Sequence, residues 1–157
     1  MVGSDLICAK RILEVVPKVM RTINADVRHH QLSVPLTMPQ FRTLCLLGAR
    51  DCLASELARK MVVARPTMTS ILDGLAAKGL VQRMVDPLDR RQSPVRITDR
   101  GRLLLREFEE KAQERLASAL AFLSEEERES LTQSLELLEA AVCPPTTFLG
   151  PEAQLQR

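Results

Sequence analysis

Apolar and small residues recur at positions 6, 9, 13, 16, 20, 23 and 27 (Leu, Ala, Leu, Val, Met, Ile, Val). That 3-4 spacing lines one helix face and predicts a long first helix beginning near Leu6. Pro17 falls inside it without an N–H to donate, so a kink or break is expected there. Val34-Pro35-Leu36 reads as a connection. Thr37 is a suitable N-cap and Pro39 is tolerated in the first turn of a helix reaching about Leu47, with Phe41, Leu44, Cys45 and Leu47 facing inward. After Gly48 the pattern predicts a short helix from Leu53 to Lys60, a brief turn, and a second helix from Arg65 to Lys78 closed by Gly79.

The rest of the chain changes period. Leu80 to Val85 is apolar and β-branched, and Val95 to Thr98 alternates as a strand does. Between them Asp86-Pro87-Leu88-Asp89-Arg90-Arg91-Gln92-Ser93-Pro94 is too polar and too Pro-flanked for a tight hairpin, and reads as a basic loop, or wing. Thr98 can cap a long helix to about Leu123 that carries Leu104, Phe108, Ala112, Leu116, Ala119 and Leu123 on one face. Ser124 with Glu127 forms a capping box for a last helix, whose Leu131, Leu135, Leu138 and Val142 make a narrow stripe ended by Pro144-Pro145. The expected fold class is mainly α with a small β-wing. A winged helix-turn-helix over about 37–100 is flanked by dimerisation helices at about 5–30 and 103–142, all in one unit spanning 1–143, and 144–157 is expected to be a frayed tail.

Charge sharpens this picture. The whole chain is only +2, yet residues 59–102 hold ten Lys/Arg against four Asp, an excess of six, which leaves the remainder at −4. A basic middle between acidic or neutral flanks is the footprint of a nucleic-acid-binding module, although a merely solvated basic face would share it. Aromatic residues are 3% of the chain, with no Trp or Tyr, so aliphatic side chains must build the core.

The run from Arg65 to Val81 (RPTMTSILDGLAAKGLV) resembles the recognition helix and first strand of MarR-type (multiple antibiotic resistance) regulators. Asp86-Pro87-Leu88-Asp89-Arg90-Arg91, followed by Val95, Ile97-Thr98 and Gly101, is similar to that family's wing and the start of its next helix, and Ser55-Glu56-Leu57-Ala58 to its first helix-turn-helix helix. Two positions depart from the family pattern: Val62 stands where the turn carries Gly, and Ala64 where the recognition helix has a Ser-type N-cap. The resemblance implies a transcription regulator, most often a repressor, that binds double-stranded DNA as a homodimer and is released by a small molecule held between dimerisation helices and winged helix.

On a helical wheel Met68, Ile71, Leu72 and Leu75 gather on one side as the anchor of the recognition helix. Pro66, Thr69 and Ser70 fall on the opposite arc, with Arg65 and Thr67 near the end that enters the major groove in this kind of docking. A guanidinium can fork onto guanine, and hydroxyls can reach base edges or phosphates; the competing reading is that these side chains are simply solvated. In the wing, Arg90 and Arg91 suit a narrow minor groove, the resemblance favouring Arg91 as the inserted residue, while Asp86 and Asp89 could instead pair with them to shape the loop.

Candidates for an effector crevice are His29, His30, Phe41, Cys45 and Phe108, each also readable as plain core or surface. Adjacent histidines point to different sides of a helix, so no metal site and no cofactor are expected. Cys8, Cys45, Cys52 and Cys143 form no C-x-x-C and suit reduced thiols, with oxidative pairing of Cys8 and Cys143 across a dimer as the alternative. No signal-peptide core, membrane span or common catalytic motif is present, so a cytoplasmic protein that is not an enzyme is expected. A protein-interaction or adaptor module keeping the same fold without DNA is the second class.

Overall fold

A computed structural model of the chain describes residues 3–29, 31–84 and 94–142, without the side chain of Arg28. The elements run α1 (Ser4–Ile23), α2 (Ala25–Arg28), α3 (Met38–Ala49), α4 (Ala54–Met61), α5 (Arg65–Ala77), β1 (Val81–Arg83), β2 (Val95–Ile97), α6 (Asp99–Leu120) and α7 (Glu125–Val142). This is a mainly helical chain with a two-stranded antiparallel sheet, as expected. The described residues fall into two compact units, residues 3–117 and residues 118–142, the latter built on the end of α6 and on α7.

In the first unit α1 is continuous through Pro17 and ends instead at Asn24. The bond lost at Pro17 would have used the carbonyl of Leu13, and Leu13 is 75% exposed, so water can take that acceptor and the helix need not break. Asn24 does end it: both its backbone N–H and its side-chain Nδ2 donate to the Met20 carbonyl, the latter at 2.7 Å. Among the described residues α1 buries none of its side chains, and Leu6, Ile7, Leu13, Val16, Val19 and Met20 are all exposed.

The core is assembled from α2 to α6 and the sheet. Leu44, Leu47, Leu57, Met68, Leu72, Leu75 and Leu80 are essentially inaccessible, joined by Phe41, Val81, Val95, Ile97 and Leu104. At the start of α3, Gln40 N–H donates to Thr37 Oγ1 and Thr37 N–H donates back to Gln40 Oε1, a full capping box with Pro39 in the first turn. Phe41, Leu44 and Leu47 face inward as predicted, but Cys45 does not; the fourth inward residue is Thr43, whose hydroxyl is satisfied by donating to the Pro39 carbonyl at 2.8 Å. The two strands pair Val81 with Ile97, Gln82 with Arg96 and Arg83 with Val95. Cys52 adds a bridge on the other side of Val95, exchanging both backbone hydrogen bonds at 3.2 and 2.8 Å. That contact ties the segment before α4 to the sheet.

Thr98 caps α6 and also fastens it. Its Oγ1 accepts from Gly101 N–H at 3.1 Å and donates to the Gly79 carbonyl at 2.7 Å, at the left-handed turn (φ 70°) that ends α5. On α6, Leu104 and Ala112 are buried and Phe108 is half-buried, while Ala119 of the predicted face is exposed.

In the second unit the predicted capping box is formed. Glu127 N–H donates to Ser124 Oγ at 3.2 Å and Ser124 N–H donates to Glu127 Oε2 at 2.8 Å. Glu125, Glu126 and Glu127 complement the positive end of the α7 dipole. Leu131, Leu135, Leu137 and Val142 of α7 remain exposed.

Candidate nucleic-acid interface

The interface rests on α4, the turn after it, and α5. Leu57 and Ala58 bury one side of α4, leaving Ser55, Arg59 and Lys60 on its exposed side. The helix stops at Val62, whose N–H and that of Val63 return to the carbonyls of Arg59 and Ala58. Val62 lies in the left-handed region (φ 54°, ψ 49°), a conformation costly for a β-branched residue, and its side chain is 89% exposed. The turn therefore keeps glycine geometry without glycine.

Ala64 is extended and offers α5 no side-chain cap; Pro66 in the first turn lacks an N–H in any case. Met68, Leu72 and Leu75 are buried and Ile71 is half-buried, as the helical wheel predicts. Arg65, Pro66, Thr67, Thr69 and Ser70 are all exposed, so the helix presents all five candidate contact residues from its N-terminal half. Thr69 Oγ1 donates to the Arg65 carbonyl at 3.1 Å. Among the described residues no hydrogen bond or ion pair engages the Arg65 guanidinium. Its charge faces solvent beside uncapped helix N–H groups, an arrangement suited to an anion.

Several cations nearby are already committed. Arg83 on β1 pairs with Asp73 on α5 at 2.9 Å. Arg96 on β2 pairs with Asp51 at 2.7 Å, and this partner holds the Asp51 carboxyl below its ordinary range. Arg50 meets Glu56 with two guanidinium nitrogens, lowering the Glu56 carboxyl, and Lys60 is 3.8 Å from the same carboxylate. Arg59 on the exposed side of α4 is a cation to which the sequence reading gave no role, although its place two residues after the buried Leu57 was a usable signal. The wing candidates Asp86, Asp89, Arg90 and Arg91 lie outside the described residues, as does His30.

The effector-crevice candidates separate. Phe41 and Phe108 pack ring to ring, centroids 4.4 Å apart and planes tilted by 56°, joining α3 to α6 within the core. His29 is exposed at the end of α2. Cys45 retains solvent exposure, but partial burial together with the nearby Glu109 carboxylate raises its thiol to about 11. It is therefore protonated and a poor nucleophile near neutrality. Among the described residues no three His, Cys, Asp or Glu side chains are placed to hold a metal ion, and no helix is long and apolar enough to cross a membrane.

The buried anchor, exposed N-terminal arc and paired strands define a winged helix-turn-helix. Residues 36–93 match the model of the MarR family. The HTH-type transcriptional regulator YfiV of Bacillus subtilis is 31% identical over 112 residues, covering 71% of this chain and 70% of YfiV. The transcriptional regulator Tm0710 of Thermotoga maritima superposes with a TM-score of 0.72 at 25% identity, covering 84% of this chain and 92% of that one. A MepR variant of S. aureus bound to an oligodeoxyribonucleotide shares the fold at a TM-score of 0.64 and 22% identity, covering 85% of this chain and 96% of that one. The chain belongs to the MarR family and is a transcriptional regulator with a DNA-binding winged helix.

Proposed function

We propose that this regulator is a homodimeric repressor that reads a pseudopalindromic DNA operator, with α5 in the major groove and the wing arginines Arg90 and Arg91 in the flanking minor groove. The observation that carries the reading is the division of α5: Met68, Leu72 and Leu75 are sealed in the core while Arg65, Pro66, Thr67, Thr69 and Ser70 stand out from its N-terminal half. That is the half of a recognition helix that meets base edges. The oligonucleotide complex of MepR, which shares the fold, supports it. Two copies are favoured because α1 leaves Leu6, Ile7, Leu13, Val16, Val19 and Met20 exposed, and α7 leaves Leu131 and Leu135 exposed. Such stripes gain by association through a two-fold interface, which sets two recognition helices about one DNA turn apart. Release by a small-molecule effector and residence in the cytoplasm complete the proposal.

Selection from a random duplex library, using the purified full chain, tests this. The expected product is a two-fold-symmetric motif bound by a species of dimer mass in light scattering. Arg65→Ala is expected to weaken binding to that motif by about 1–3 kcal/mol and to relax preference at one base pair of each half-site. A monomer, or a library returned without enrichment, would overturn the reading.

A further inference from the structure

The connector from Gln31 to Thr37, between α2 and α3, is held in an unusual way. Leu32 and Leu36 are buried in the core, and the backbone groups of Gln31, Ser33 and Pro35 that alternate with them along the connector are met by charged side chains from two other elements. From α6, Lys111 Nζ donates to the Gln31 carbonyl, and Ser33 N–H donates to both carboxylate oxygens of Glu107 at 2.9 and 3.2 Å. From the end of α5, Lys78 Nζ donates to the Pro35 carbonyl at 2.6 Å. Lys111 and Glu107 are themselves paired at 3.1 Å. Hydrogen bonds with an ionised partner are stronger and shorter than neutral ones, and all of these act on a connector whose Val34-Pro35 step is conformationally restricted.

The same lysine reaches α3. Lys78 Nζ donates to Gln40 Oε1 at 3.0 Å, the oxygen that also accepts Thr37 N–H in the α3 capping box. The Gln40 amide closely approaches α5 at Gly74, where an added Cβ would sit 2.6 Å from Gln40 Nε2. Gln40 Oε1 is held by both bonds, so moving the amide aside for such a Cβ strains the Lys78 contact and the cap together. α5 is thus clasped near its C-terminal end by α3 and by a connector whose other end is clasped by α6.

We propose that the Gln31–Thr37 connector couples α6 to the recognition helix, with Glu107, Gln40 and Lys78 as positioning residues that set the angle at which α5 meets DNA. This deepens the DNA-binding reading and rests on it. A shift of α6 relative to the connector is delivered through Ser33 and Pro35 to Lys78, and so to the helix carrying Arg65, Thr67 and Thr69. The coupling needs no contact between Glu107 and DNA.

Charge makes the test discriminating. Glu107→Gln removes a negative charge, so electrostatics alone predicts equal or tighter duplex binding. The connector mechanism predicts a loss of about two- to thirty-fold in affinity for the selected motif, with affinity for an unrelated duplex at the same salt unchanged or slightly raised. Gly74→Ala changes no charge and favours helix over coil, yet it should lower affinity for the motif while leaving the unrelated duplex unaffected. Glu107→Gln and Lys78→Met, measured singly and together, should lose less in combination than the product of their separate effects, since both act through one strap. Circular dichroism and thermal melts check that each full-length variant is folded at the assay temperature. Folded Glu107→Gln and Gly74→Ala proteins that bind the motif as tightly as the parent overturn the coupling, as does strict multiplicativity of the double variant. A parent protein that enriches no motif overturns the DNA-binding reading instead, so the two failures are distinct.

Discussion

Gly101, in the first turn of α6, lies directly under the Leu80 carbonyl oxygen at the start of the sheet. A methyl group on Gly101 would collide with that oxygen and come within 2.6 Å of Ile97 Cγ1. The approach lets Thr98 bind Gly79 and Gly101 at once, so glycine here is required for space and not for an unusual backbone angle. Gly101→Ala should cost about 1–3 kcal/mol of stability, because a backbone oxygen cannot swing aside as a side chain would. Denaturant unfolding would read this as a lower midpoint at an unchanged slope, and an equal midpoint would show that α6 can lift off the sheet freely.

Val62 carries the opposite expectation. Its left-handed backbone costs about 1–2 kcal/mol for a residue with a Cβ, and its exposed side chain contributes almost no packing in return. Val62→Gly relieves that cost and adds roughly 0.5–1 kcal/mol of unfolded-chain entropy against folding. The net result should be a gain of about 0.5–1 kcal/mol, or roughly 1–4 °C in melting temperature by calorimetry. A lower melting temperature would show that the turn is better served by stiffness than by relief.

Ala64 leaves the start of α5 without a side-chain acceptor. Ala64→Ser should stabilise the chain by about 0.5–1 kcal/mol by capping an open N–H. If that N–H is reserved for a DNA phosphate, the same variant binds its operator less tightly, and this is the expected outcome. Unfolding free energy and operator affinity measured on one preparation separate the two effects, and unchanged affinity would remove the phosphate role.

The acid limb of stability should depend on Asp51 and Glu107. Arg96 lowers the Asp51 carboxyl; burial would raise that of Glu107, but hydrogen bonds from Ser33 and Lys111 outweigh it and hold it below its usual range. A carboxyl lowered by folding contributes stability that is fully present above its unfolded pKa, near 4, and is lost as pH falls through the folded value. Unfolding free energy should therefore decline below about pH 5. Asp51→Asn and Glu107→Gln should each be less stable than the parent at pH 7 and show a shallower decline, measured by denaturant titration across pH. Parallel pH curves for parent and variants would exclude both groups as the cause.

What the residues announced, and what they concealed, divides by distance along the chain. Thr37, Thr98 and the Ser124–Glu127 pair were legible because a cap acts within three residues of itself. The sealed and open sides of α5 were legible because helical period sorts them. The end of α1 at Asn24 was hidden behind Pro17, since an exposed helix loses little by sending one carbonyl to water. Thr43 replaced Cys45 inside because a hydroxyl that can donate to a carbonyl four residues back is cheap to bury. Lys78 to Pro35, Arg96 to Asp51 and Arg115 to Asp26 join residues 43, 45 and 89 apart. No local pattern selects such partners from the many charges available. Arg59 belongs to the basic stretch, and its place two residues after the buried Leu57 is a local signal that it stands on the open side of α4.

The bridge between Cys52 and Val95 bears on how the protein behaves when crowded or partly unfolded. Val95 has Arg83 on one flank and Cys52 on the other, so at that point β2 is an interior strand in a sheet that would otherwise have only edges. An interior strand gives a stray polypeptide no free amides on which to lengthen the sheet. A foreign strand adding to β2 at Val95 would first have to peel away the segment before α4, a step that disturbs the helix-turn-helix, and this leaves β1 as the open edge of the sheet.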